Sequence, residues 1–219
     1  MTSATDQRNR IAQAYVAAFV QDGARRYIAN LDTRVDLFAW GEHVLPVTVN
    51  SGATAGTFVC SARVGYIDYT REELRHFPDP RLAAVLGLVV SALDPLLALC
   101  DIDRIVHVSN WMMSTNLPVN LDGTLTKERT AELVGQFPRH VLAMRSLTWS
   151  YSAGLMAALE QAGWTLLPCR QNYLVDNVAK QTLRKRDARR DQALWDRHDF
   201  DFAELAELLP NSWTDSGVI

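Results

Sequence analysis

The chain has 219 residues, 48% of them apolar, and a formal net charge of -3. That length admits one large domain or a domain with an appendage, with enough apolar content for a core that needs no disulfide staples. The slight acidity excludes wholesale wrapping of nucleic acid but not a local basic patch.

The first seven residues are polar and lack the basic start and apolar centre of a secretory signal. Ile11, Tyr15, Ala18, Phe19, Tyr27 and Ile28 mostly fall at helical spacing, so residues 8–30 predict a surface helix with a weak point at Gly23. Residues 35–40 and 44–49 are rich in β-branched and aromatic side chains and flank Gly41-Glu42, which predicts a hairpin. A small-residue loop at 51–56 then leads to a third short strand at 57–61. Thr70 followed by Glu73 has the capping-box pattern of a helix start, and Phe77-Pro78-Asp79-Pro80 interrupts that helix.

Residues 82–100 are apolar enough, on hydropathy alone, for a membrane span. Asp94-Pro95 divides them, because proline breaks a helix and aspartate caps a new one. The expectation is two short core helices and no membrane partner. Next comes an alternation: strand 104–108, helix 126–136, strand 140–144, helix 152–162 and strand 164–176, with Thr126 at a helix start and Gly163 at a helix stop. Strands separated by single helices pair in parallel through right-handed crossovers. The predicted fold class is α/β, a mixed central sheet with an antiparallel N-terminal hairpin and a βαβαβ C-terminal part.

After Asn177 the composition shifts. Lys180, Arg184, Lys185, Arg186, Arg189, Arg190 and Arg197 crowd together, balanced by Asp187, Asp191 and Asp196. A domain edge is expected near residue 178, giving a domain at 1–178 and a basic helical appendage or linker at 179–219. Cys60, Cys100 and Cys169 are odd in number, far apart and free of any CxxC pair. They predict buried thiols in a reduced, cytoplasmic protein, with no metal.

Candidate chemistry gathers where the strands end. Asn110, Trp111, Ser114, Thr115 and Asn116 follow the first apolar strand, Arg145 and Ser146 the second, and Arg170, Gln171 and Tyr173 lie in the third. In open α/β sheets ligands bind outside the carboxyl ends of strands, so these groups predict a small-molecule or acyl-group site. The amides and hydroxyls suit a carbonyl, carboxylate or ribose, and an arginine at a strand end needs an anionic partner. His107 and His140 fall on strands expected to be neighbours. No HExxH, GxSxG, GxGxxG or P-loop occurs.

The order of elements resembles that of GNAT-type acyltransferases, and residues 140–147 and 163–174 resemble parts of GNAT-like bacterial proteins. The resemblance implies acyl transfer from a donor to a small-molecule amine, where two central parallel strands splay apart. In that family a glycine-containing turn grips the pyrophosphate of coenzyme A. The corresponding connection here, residues 113–123, has one glycine, Gly123, and a proline. The chain also resembles the first half of two-domain Fem-type enzymes, which implies an acyl-CoA or aminoacyl-tRNA donor, a tRNA contact through residues 180–197, and a second GNAT-like domain or a homodimer as partner. The rival from a different class is a non-catalytic binding or assembly module whose basic helix contacts RNA or a partner protein.

Overall fold

The computed structural model describes residues 3–52, 56–113, 116, 117, 119, 121–169 and 185–197. The chain divides into two units, Met1–Leu166 and Leu167–Ile219.

In the first unit, helix α1 (Ala4–Asp22) opens with a complete capping box between Ser3 and Asp6. It stops at Gly23, whose φ of 79° lies in the left-handed region open to glycine, and a single turn, α2 (Ala24–Tyr27), follows. Strands β1 (Arg34–Trp40) and β2 (His43–Ser51) make the expected hairpin, with Phe38 opposite Leu45. Gly41 turns at φ 60°. Strand β3 (Arg104–Val108) pairs antiparallel with β2, and β4 (Val141–Met144) pairs parallel with β3, giving a mixed sheet in the order β1-β2-β3-β4.

Side chains alternate across that sheet. One face carries Phe38, Trp40, Leu45, Val47, Val49, Val106 and Val108 into a core closed by Leu133 and Phe137 of α5 (Thr126–Gln136) and Leu155 and Leu159 of α6 (Trp149–Gln161). On the other face Val35 packs against Val16 and Phe19 of α1, with Val59, Cys60 and Met112. Further along this second face the apolar pattern gives way to Thr48, Asn50 and His107, all buried.

Several expectations need correction. Residues 57–61 form no strand. They turn tightly, with the Cys60 and Ser61 N–H groups both bonded to the Thr57 carbonyl, and the Val59 and Cys60 carbonyls are taken by the side-chain amides of Asn110 and Asn50. Side chains thus satisfy the groups that a strand would have paired. Helix α3 (Tyr69–Leu74) starts without a side-chain cap from Thr70, because it continues a π-helical turn, Val64–Asp68. Residues 164–169 are not a strand, and the rest of that expected element lies outside the described residues. Cys100 and Cys169 are exposed, and only Cys60 is buried.

The largest departure is α4 (Pro80–Leu99), one continuous helix where two were expected. Asp79 caps it through the Arg81 and Leu82 N–H groups, with Pro80 preorganised in the first turn. It runs through Pro95, a substitution that costs an interior helix about 3 kcal/mol. Asp94 caps nothing; it accepts from Arg63 at 2.6 Å and Arg71 at 3.0 Å, and pairing with Arg63 keeps its carboxyl below the usual carboxylate range. These pairs hold the helix against the domain at the residue just before the proline. Nor is α4 a core helix, since 6% of its most apolar stretch is buried.

Candidate functional site

The groups that end β3 and β4 meet, but as packed contacts. Asn110 is fully buried. Its Nδ2 donates to Thr48 Oγ1 and to the Val59 carbonyl, each at 2.8 Å, while its Oδ1 accepts from the Met112 N–H at 3.2 Å and from Arg145 Nη1 at 3.3 Å. All of its hydrogen-bonding capacity goes to protein. Arg145 also donates to the Val59 carbonyl at 3.1 Å and spreads over the Phe58 ring at 5.8 Å. The Trp111 carbonyl accepts from Tyr15 Oη at 2.5 Å, its N–H donates to Asn116 Oδ1, and Ser146 Oγ accepts the Asn116 N–H. Ser114, Thr115, Arg170, Gln171 and Tyr173 lie outside the described residues.

The backbone is left-handed at three non-glycine positions here: Ser109 (φ 57°), Met112 (φ 54°) and Ser146 (φ 63°). Such conformations cost about 1 kcal/mol or more each and persist where surrounding contacts over-determine them. The Asn110 and Ser146 hydrogen bonds supply those contacts.

Beside the charged Arg145, the groups His107, Cys60 and Tyr15 are neutral near pH 7. Burial, then the Arg145 charge, drives His107 down to about 3. Burial pushes the Cys60 thiol up to about 11, against opposing hydrogen bonds from Thr48 and Asn110, and raises Tyr15 further. His107 sits opposite Thr48 on β2 and Ala143 on β4, while His140 precedes β4 and lies edge-on to Phe137, so the two histidines do not converge. Among the described residues no cluster of metal-ligating side chains occurs.

An open cleft of about 460 Å³ lies elsewhere, between the β3–α5 connection and α6. Both walls are chain segments that follow the carboxyl ends of β3 and β4. Leu121 and Leu155 give it an apolar floor; Asp122, Thr124, Tyr151 and Gln161 give it polar edges. The cleft exists because the helix wall is small. Ala158 lies so close to Gly123 that a Cβ there would meet it at 3.1 Å, and nothing lies within 4 Å of a Cβ built on Gly154. Gly154-x-x-x-Ala158 at one-turn spacing was a signal available in the sequence. Asp122 accepts from the Thr124 hydroxyl at 2.7 Å and the Thr124 N–H at 2.8 Å, and these bonds lower its pKa. The cleft therefore carries a fixed negative charge where a phosphate-gripping turn would offer free N–H groups.

Comparison with protein-family models, with curated proteins and with solved structures returns no match.

In the second unit, helix α7 (Arg186–Trp195) places Arg186, Arg189, Arg190 and Ala193 on one face by helical spacing.

Proposed function

We propose that residues 1–166 form a GNAT-like domain that binds the amine substrate of an acyl- or aminoacyl-transfer reaction, acting as a substrate-binding half without catalytic groups of its own. The strand sequence supports the GNAT resemblance: a hairpin, an antiparallel third strand, then a parallel fourth reached through a helix. The observation that carries the binding role is the cleft beside α6, a place where open α/β sheets take ligands and a volume suited to a small molecule. Asp122 selects the charge. An ionised carboxylate with its N–H and hydroxyl donors already engaged attracts an ammonium group and repels a pyrophosphate. Among the described strand-end residues, neither His107 nor Cys60 has the near-neutral pKa that suits a general base.

Thermal-shift titration of the full chain with spermidine and with acetyl-CoA tests this, because a ligand specific to the folded state raises the melting temperature. Spermidine should stabilise the protein, and Gly154→Trp, which fills the cleft from open space, should abolish that shift while leaving the unliganded protein folded. Stabilisation by acetyl-CoA alone, or a spermidine shift that survives Gly154→Trp, would overturn the assignment.

The arginine face of α7 favours a second role for the other unit, contact with an RNA backbone, as the Fem-type resemblance implies.

A further inference from the structure

Helix α4 faces its own domain along one stripe only. Ala83, Gly87, Val90, Asp94 and Leu97 recur at alternating four- and three-residue steps and are the positions withdrawn from solvent, where α4 meets α3 and the π-helical turn. Everything else on the helix is exposed, and apart from Arg81 and Ser91 it is apolar. Leu88 is 72% exposed, Val89 52%, Leu96 56% and Leu99 83%, with Leu82, Val85, Leu86 and Leu93 also on the surface.

The area is large. At roughly 100 Å² apiece these eight side chains present on the order of 800 Å², above the few hundred that a monomer usually leaves uncovered, and the five on one seam account for about 500 Å² of it, with Val85, Leu88 and Leu99 further around the helix. Within them Leu82, Leu86, Val89, Leu93 and Leu96 continue the four-three spacing to Cys100, a coiled-coil seam lying about 100° around the helix from the inner stripe.

Three occupants could cover such a surface, and the charges on and around α4 separate them. A membrane span requires the whole helix to leave its domain, yet Asp94 is clamped to Arg63 and Arg71 in mid-helix, and a helix in lipid would carry that charge. A helix lying in a bilayer surface has a strongly charged face of its own, which α4 lacks. A self-complementary seam of uncharged heptad positions suits a second copy of the same chain.

We propose that α4 is a homodimerisation surface, two copies pairing antiparallel through Leu82, Leu86, Val89, Leu93 and Leu96. The ends decide the direction. Asp101 just beyond the end of α4 is already paired with Arg104 at 2.6 Å, so the helix dipoles set the direction: an antiparallel pair opposes them, and a parallel pair aligns them and stacks Arg81 on Arg81. In that register Val89 faces Leu93, Leu86 faces Leu96, and Leu82 faces Cys100 of the other copy.

Sedimentation velocity of the full chain across a wide concentration range should give twice the chain mass. Val89→Glu combined with Leu96→Glu, both on exposed positions, should give a monomer with an unchanged circular dichroism spectrum. Because those charges could also unfold a marginal helix, a second variant reads the geometry directly: Leu82→Cys under mild oxidation should yield a covalent dimer on a non-reducing gel, lost when Cys100→Ser is added. A wild-type monomer at every concentration overturns the proposal. So does flotation of the wild type, but not the glutamate variant, with phosphatidylcholine vesicles, and so does a Cys100–Cys100 crosslink in the wild type, which only a parallel pair permits. None of these readouts involves the amine cleft.

Discussion

Replacing Asn110 by alanine separates a structural role from a ligand-binding one at the most buried of the strand-end groups. The side chain donates to Thr48, to the Val59 carbonyl and at longer range to Cys60 Sγ, and it accepts two bonds, all within the protein. After truncation the Val59 carbonyl keeps Arg145, but the Met112 N–H loses its side-chain acceptor and the Thr48 hydroxyl loses a donor. An orphaned buried donor costs about 1–3 kcal/mol, and the lost net bonds add about 1 kcal/mol each. The left-handed Met112 also loses an anchor. The expected destabilisation is about 3 kcal/mol, a fall in melting temperature of roughly 6–12 °C for a domain of this size. Urea unfolding should show a lower midpoint at unchanged slope, since the surface exposed on unfolding is the same. Spermidine affinity, measured well below the new melting temperature, should match the wild type. A variant that keeps its stability within about 0.5 kcal/mol yet loses amine binding would refute this account.

His107 gives the acid limb of stability a defined sign. Its folded pKa is depressed to about 3, so on acidification below the ordinary histidine range the unfolded chain takes up a proton that the folded chain refuses. Its contribution is complete above about pH 6.5 and declines toward pH 3, with a slope of up to about 1.4 kcal/mol per pH unit. His107→Leu should flatten the fall in urea midpoint between pH 6 and pH 4, and an equally steep fall in the variant would remove His107 as the cause. For α7, fluorescence anisotropy with a short tRNA acceptor-stem hairpin should show affinity that weakens with salt. Replacing Arg186 and Arg190 by glutamine should cut the log–log salt slope by about 1.5, and an unchanged slope would exclude this face.

The hairpin, β3, α5, β4 and α6 were legible because each is governed by local pattern: apolar, β-branched and aromatic runs in the strands, helical spacing in the helices, and Gly41 and Gly163 where the chain must turn. The misses share a non-local cause. Residues 57–61 have strand-like composition, but the amides that claim their carbonyls come from Asn50 and Asn110, the latter about fifty positions away. Pro95 stays inside α4 alongside an Asp94 held by Arg63 and Arg71, contacts that hydropathy and helix-breaker rules do not contain. The cleft was missed because its signal was an absence of bulk at Gly154 and Ala158, whereas attention goes to residues that bring chemistry.

The same contrast explains why the strand ends suggested a site. In a parallel β–α unit, polar residues after a strand either await a ligand or redirect the chain, and composition is alike in both cases. Backbone conformation is not. Ser109, Met112 and Ser146 take left-handed turns without the freedom of glycine, so each needs its neighbours fixed, and the Asn110 amide and Ser146 hydroxyl fix them. Polar groups spent on holding strained turns are not free to bind a substrate as well. Among the described strand-end groups Ser109 Oγ and Asn116 Nδ2 are buried without a hydrogen-bond partner, whereas in the cleft the turn at Asp122 is built from local hydrogen bonds and its charge faces outward. On the proposed reading, the binding site lies at the helix that follows the sheet edge and not at the strand ends.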